Sequence, residues 1–303
     1  MKVVFSARYH IDIGPHVFPT RKYPLVHARL LETGVIEPTD IIEPVAASWE
    51  DLSRVHTAEY LSKMRDGTLS PDDVAQLELP WSVELVEAFR IMVGGTIQAA
   101  RIASGLEPTS LRVVCHVGGG LHHAFPNHGE GFCPFNDVAV AVRDLQSRGL
   151  ERAAIIDLDV HHGNGTAFVF ESDPDVFTFS MHQQHNYPMW KPRGSLDIGL
   201  PDRAGDSRFL RELDRALPVV MASDPQCVFY LAGADPYEDD QLGGLRLTRA
   251  GLRQRDRIVI ETVRAAGLPL VIMLAGGYAR HVEDTVAIHV DTIEEAKHAT
   301  ANI

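Results

Sequence analysis

The chain has 303 residues, 45% of them hydrophobic and 23% charged, which is ordinary for a soluble globular protein and allows a sizeable buried core in one large α/β domain or two small ones. Its net charge of −13 argues against broad binding to a phosphate backbone, while leaving room for a cationic ligand such as a lysine-bearing peptide or a polyamine. Cys115, Cys133 and Cys227 form no CxxC pair and suit a reducing compartment.

The opening "MKVVFSARYH" has too short an apolar run for a signal peptide, and no stretch approaches the roughly 18 apolar residues of a spanning helix. A cytoplasmic protein with no nucleic-acid or membrane partner is expected. Short apolar runs then recur at 2–6, 111–117, 152–160, 175–182, 226–233 and 268–277. They are β-rich and apolar on both faces, as strands of a covered parallel sheet are. Helical periodicity falls between them. Residues 81–105 read as a long helix with Ser82 as N-cap and with Gly94 and Gly95 weakening its middle. Residues 136–149 start a helix on Asn136 or Asp137 and stop it at Gly149, and 207–221 and 248–266 are helical too. This alternation predicts a three-layer α/β fold, with ligands beyond the carboxyl ends of the strands. The segment 183–206 lacks periodicity and reads as a functional loop. With no linker or repeat, one domain over 1–303 is expected.

The polar chemistry gathers where the strands end. Of 15 histidines, eight lie between His116 and His185. In "DLDVHHGNGT" the period of a strand puts Asp157, Asp159 and His161 on one side and His162 on the other. Asp159 and His161 could chelate one metal, and carboxylate oxygen with imidazole nitrogen suits zinc at about 2.0–2.2 Å. Asp235, just past the buried run that ends in "LAGAD", is the candidate third ligand. In "GGGLHHAF", three glycines permit unusual backbone angles, and the adjacent His122 and His123 could share proton transfer. Asp157 and Asn164 are within reach to fix their tautomers. Tyr278, in "LAGGY", could donate a hydrogen bond to a developing oxyanion. Taken singly, each of these residues is also an ordinary capping, surface or packed side chain; it is their convergence on one end of one sheet that points to a site.

"HVGGGLHHAFPNHGEGFCPFND", "IIDLDVHHGNGT", "LAGAD" and "LAGGY", in that order, resemble the zinc-dependent histone deacetylase family, which also holds acetoin-utilisation proteins and acetylpolyamine amidohydrolases. The resemblance covers nearly the whole chain and looks closest to the class IV branch and its bacterial relatives. It implies an arginase-like fold with a central parallel sheet of about eight strands, two more than the apolar runs. It implies zinc on Asp159, His161 and Asp235, a catalytic pair at His122 and His123, and a transition-state tyrosine at Tyr278. The Gly120 carbonyl would lie near the acyl-lysine nitrogen, with Phe132 and Tyr187 walling the acyl channel. A structural potassium ion would take Asp157, Ser180, the Met181 carbonyl and the backbone of Asp159 and His161.

Two departures stand out. Asn164 replaces the aspartate of class I enzymes, and a neutral partner stabilises an imidazolium at His123 less. Ala275 replaces the first glycine of a three-glycine run and would tighten the channel floor. The implied activity is removal of acetyl or longer acyl groups from lysine side chains of proteins or peptides. Its rivals are acetylpolyamine or other small-amide hydrolysis and a non-catalytic acyl-ligand binder. A dinuclear ureohydrolase would need further bridging aspartates, and Gly163 stands two residues after His161. Iron(II) suits the same ligands as zinc.

Overall fold

The computed structural model describes residues 1–107 and 111–301. Eight strands build one sheet: β1 (Lys2–Val4), β2 (Ile41–Ile42), β3 (Val113–His116), β4 (Ala153–Asp157), β5 (Val176–Gln183), β6 (Leu196–Leu200), β7 (Cys227–Leu231) and β8 (Leu270–Met273). Their order is β2-β1-β3-β8-β7-β4-β5-β6, and every pairing is parallel. All carboxyl ends therefore lie along one rim. The chain lays down β1 and β3, crosses to β4, β5 and β6, then returns to fill the middle with β7 and β8. That return sets the ends of β4, β7 and β8 beside one another. With flanking helices, the sheet gives the three-layer α/β architecture that the resemblance implies.

The four central strands β3, β8, β7 and β4 are buried along their whole length, which is why each reads as an unbroken apolar run. The two strands that the apolar runs omit are the edges. β2 has only two residues. β6, "LDIGL", alternates half-buried and exposed positions, and it lies inside the 183–206 segment expected to be a loop throughout.

Ten α-helices occur among the described residues: α1 (Lys22–Glu32), α2 (Trp49–Leu52), α3 (Ala58–Asp66), α4 (Pro71–Leu77), α5 (Val83–Ala103), α6 (Asp137–Gln146), α7 (Asn164–Phe170), α8 (Asp206–Met221), α9 (Arg249–Ala265) and α10 (Val282–Ala301). Ser82 caps α5 by accepting the Leu85 N–H, and the helix runs unbroken through Gly94 and Gly95. Asn136 caps α6 by accepting the Ala139 N–H at 2.9 Å. That cap sets the neighbouring Asp137, wholly buried, to accept the Gly120 and Leu121 N–H groups at 3.0 and 2.7 Å. A helix N-terminus thereby fixes the glycine loop that carries the histidine pair.

Candidate active site

β4 ends at Asp157, so Asp159 and His161 lie in irregular chain beyond it. They nonetheless fall on the side expected from the strand period. His162 turns away, its Nε2 3.2 Å from Asp197 Oδ1 on β6. Asp235 arrives from the end of β7. Asp159, His161 and Asp235 are buried and offer ligand atoms within 4.8 Å of one another. Backbone donors fix both carboxylates: Asp159 accepts from the Gly276 N–H at 2.9 Å, and Asp235 Oδ1 from the Val160 N–H at 2.9 Å. A Cβ at position 276 would stand 2.0 Å from Asp235 Oδ2, so only glycine fits behind the cluster.

His161 Nδ1 lies 3.0 Å from Asp159 Oδ1 and 3.4 Å from Asp235 Oδ2. Asp235 Oδ2 is buried with no hydrogen-bond partner. Burial and the facing Asp159 push the Asp235 carboxyl up to about 7. Burial opposes charge on His161, but its contact with Asp159 and the nearby charge of Asp235 raise it to about 10. Two buried carboxylates and an imidazole, with one oxygen unpaired, fit a divalent cation of the zinc or iron(II) kind.

His122 and His123 sit beside this cluster, both buried. His122 Nδ1 is 2.7 Å from Asp157 Oδ2, and His123 Nδ1 is 2.7 Å from Asn164 Oδ1. Burial works against charge on His122, yet Asp157 and Asp159 raise its pKa to about 9. Burial, with the charges of His122 and His161, holds His123 well below the ordinary imidazole value.

A cavity of about 160 Å³ reaches the cluster. His123, His161 and Tyr278 line it, with Phe132, Tyr187 and Leu242 as walls. The tight turn at Glu130–Cys133 aims Phe132 inward: Gly131 and Phe132 take φ of +53° and +66°. A Cβ on Gly131 would lie 2.8 Å from His123 Cδ2 and 3.0 Å from Tyr187 Cε1. A larger hollow of about 600 Å³, lined by residues 10–21 with Gln241 and Arg280, holds none of the clustered groups.

Gly120 lies at the inner end, where its carbonyl accepts the His122 N–H at 3.0 Å and its Cα packs against Ala275. Ala275 takes a left-handed φ of +53°, and its methyl fills the floor there. Ser180 stands in register with Asp157 across β4 and β5, its hydroxyl 3.0 Å from His182 Nδ1.

Sequence reasoning missed three residues that hold this arrangement. Asp240 accepts the N–H groups of Tyr278, Leu242 and Gly243 at 2.7–2.8 Å and so pins the tyrosine. Lys22, wholly buried, donates to the Ala275 carbonyl at 2.8 Å and lies 5.5 Å from the Tyr278 ring centre. Burial draws the Lys22 pKa down to about 8 against the pull of Asp235 and Asp159. Glu130 accepts from Asn164 Nδ2 at 2.6 Å. The only signal in the sequence for Glu130 was a lone carboxylate between two glycines, "GEG".

The histone deacetylase domain matches residues 16–293. An uncharacterized protein of Picosynechococcus sp. is 43% identical over 94% of this chain and 96% of its own. Histone deacetylase 2 of Arabidopsis thaliana is 30% identical over 97% of this chain and 78% of its own. The crystal structure of a histone deacetylase homologue complexed with SAHA superposes with a TM-score of 0.83, at 25% identity, covering 97% of this chain and 83% of that one. This chain belongs to the histone deacetylase family, within the wider group that holds the acetoin-utilisation proteins.

Proposed function

We propose that this protein is a zinc-dependent amidohydrolase that removes acetyl or longer acyl groups from the lysine side chains of proteins or peptides. The observation that carries the reading is the buried Asp159, His161 and Asp235 cluster at the inner end of a narrow cavity that His123 and Tyr278 share. Family membership supports a deacetylase, and a cavity of about 160 Å³ suits one extended side chain better than a folded substrate.

An ion held by Asp159, His161 and Asp235 would supply Lewis-acid polarisation of the amide carbonyl and make water more acidic. Phe132 and Tyr187 would hold the acyl-lysine stem and exclude bulk water, and the Gly120 carbonyl would face the amide nitrogen. The His122–His123 pair takes the proton of the attacking water and returns one to the leaving amine. The Tyr278 phenol donates to the carbonyl oxygen as negative charge develops there. Asp157 and Asn164 hold the two imidazoles in place. Zinc rests on ligand type together with the family resemblance, and iron(II) suits the same ligands. The same reading includes a potassium ion on Asp157, Ser180, Met181 and the backbone of Asp159 and His161, for which the Asp157–Ser180 register is the support. It also includes the class IV branch, on Asn164 and Ala275, one catalytic domain, and a reducing cytoplasmic setting, in keeping with three buried free cysteines.

One observation favours a second reading. Glu78 lines the same cavity, and a carboxylate there would attract a further cationic group, as acylated polyamines carry. Hydrolysis of acetyl-, butyryl- and myristoyl-lysine peptides and of acetylpolyamines, with His122→Ala alongside, tests both. Peptide turnover that the variant loses is the expected result. Turnover of polyamines alone would move the substrate to small molecules. Silence across the panel with metal bound would leave an acyl-ligand binder.

A further inference from the structure

Glu130 is the sole carboxylate between the glycine loop and α6. Its backbone is fixed. The Glu130–Cys133 turn closes on its own N–H and carbonyl, and the Gly131 and Phe132 N–H groups donate to Gln76 and Leu77 at the end of α4. Its side chain is only 14% exposed. Donors converge on it: Asn164 Nδ2 at 2.6 Å, Gln76 Nε2 at 3.0 Å, His128 Nε2 at 3.4 Å, and the Tyr187 phenol.

An ionised carboxylate only accepts, and an amide has one accepting end and one donating end. Asn164 must therefore turn Nδ2 to Glu130 and Oδ1 to His123. His123 must then donate from Nδ1, and its Nε2 is aimed at His122, 3.0 Å away. The orientation of a catalytic imidazole is thus set by a carboxylate that never touches it.

We propose that Glu130 is a positioning residue for His123, and that Asn164 and Glu130 act as one split partner, with the negative charge set one amide behind the imidazole. In consequence the two positions are exchangeable only together. Asn164→Asp alone would oppose two carboxylates across 2.6 Å. Asn164→Asp combined with Glu130→Gln restores one charge and one amide in the reverse order.

The kinetic arm rests on the deacylase reading; the spectroscopic arm does not. Turnover of an acetyl-lysine peptide is measured for the wild type, Glu130→Gln, Asn164→Asp and the double variant. Each single change is expected to lower kcat roughly 10- to 100-fold with KM little changed. The double variant should recover most of the loss. A double variant as poor as the product of the singles would overturn the split partner. In parallel, nitrogen-15 NMR of histidine-labelled protein follows His123 in the resting state. The wild type should show a single Nδ1–H form whose resonance shifts in Glu130→Gln, and an unchanged resonance would overturn the proposal. A wild type that hydrolyses nothing refutes the deacylase reading, and the His123 resonance still decides the role of Glu130.

Discussion

His122 and His123 meet Nε2 to Nε2 at 3.0 Å. The Asp157 carboxylate can only accept, so His122 Nδ1 donates to it; Asn164 Oδ1 likewise requires a proton on His123 Nδ1. Two neutral rings would then oppose two lone pairs. Asp157 and Asp159 raise the His122 pKa to about 9 against burial, while burial and the charges of His122 and His161 hold His123 well below the ordinary imidazole value, so the two rings differ in their hold on a proton. On the proposed mechanism the imidazoles act as one acid–base unit. His122→Ala and His123→Ala should each lower kcat by roughly 10²- to 10⁴-fold. The double variant should fall no further than the worse single, as residues acting as a unit do. Steady-state kinetics on all three decide it; losses that multiply would mean two independent roles.

Tyr278→Phe isolates the phenol. The ring packs edge-on against Phe132 at 5.9 Å, and the backbone is held by Asp240 and Gln241, so none of the packing depends on the hydroxyl. Losing one oxyanion donor is worth about 2.7–4 kcal/mol, so kcat should fall roughly 10²- to 10³-fold. Metal content and Tm should match the wild type. Near-normal turnover would remove Tyr278 from the chemistry.

The parts legible in the sequence and the parts that were not differ physically. β3, β4, β7 and β8 are buried on both faces, so each is a continuous apolar run, whereas β6 is half exposed and resembles a loop. Asp159 and His161 show themselves by spacing within one stretch, and Asp235 by its place after a buried strand. Asp240 is the third of three consecutive acids, and nothing in "EDD" says which one turns inward. Lys22 meets a carbonyl 253 residues away and carries no local pattern. Glu130 acts through Asn164, so its meaning exists only once the two side chains are assembled.

Chelation tests the ion proposed at Asp159, His161 and Asp235. Chelation is expected to abolish turnover and to lower Tm by roughly 5–15 °C, since a ligand at 100 to 1,000 times Kd contributes about 2.7–4.1 kcal/mol and each kcal/mol is about 2–4 °C in a large domain. Readdition of zinc should restore both; recovery with iron(II) alone would change the assigned ion. Gly276→Ala gives the same result by sterics, because the added Cβ meets Asp235 Oδ2 at 2.0 Å and Asp159 Oδ2 at 2.5 Å. Elemental analysis of that variant should find no bound metal. One equivalent of zinc retained would show that the cluster is not where the ion sits.

Acid sensitivity should arise partly at His56, far in sequence from Asp159, His161 and Asp235 and built into the base of the histidine loop. Its Nδ1 lies 3.0 Å from the Phe125 carbonyl, and its Nε2 accepts the Asn136 N–H at 3.1 Å. Only the neutral ring with its proton on Nδ1 satisfies both contacts. Burial, partly offset by the backbone of Phe125 and Pro126, holds its pKa down to about 4. As pH falls, the unfolded chain takes up the proton first, near pH 6.5, and the folded chain only near pH 4. The contribution to stability is therefore complete above about pH 6.5, is lost progressively down to about pH 4, and is constant below that. The interval of about 2.5 pH units corresponds to at most about 3.4 kcal/mol. His56→Gln keeps a donor and an acceptor without a titrating group. Urea unfolding from about pH 7.5 to about pH 4.5 should show the wild type losing stability faster than the variant, by about 1.4 kcal/mol per pH unit inside that window. Parallel curves would mean that His56 stays neutral in both states or charges in both, and the acid response would then belong to other buried groups.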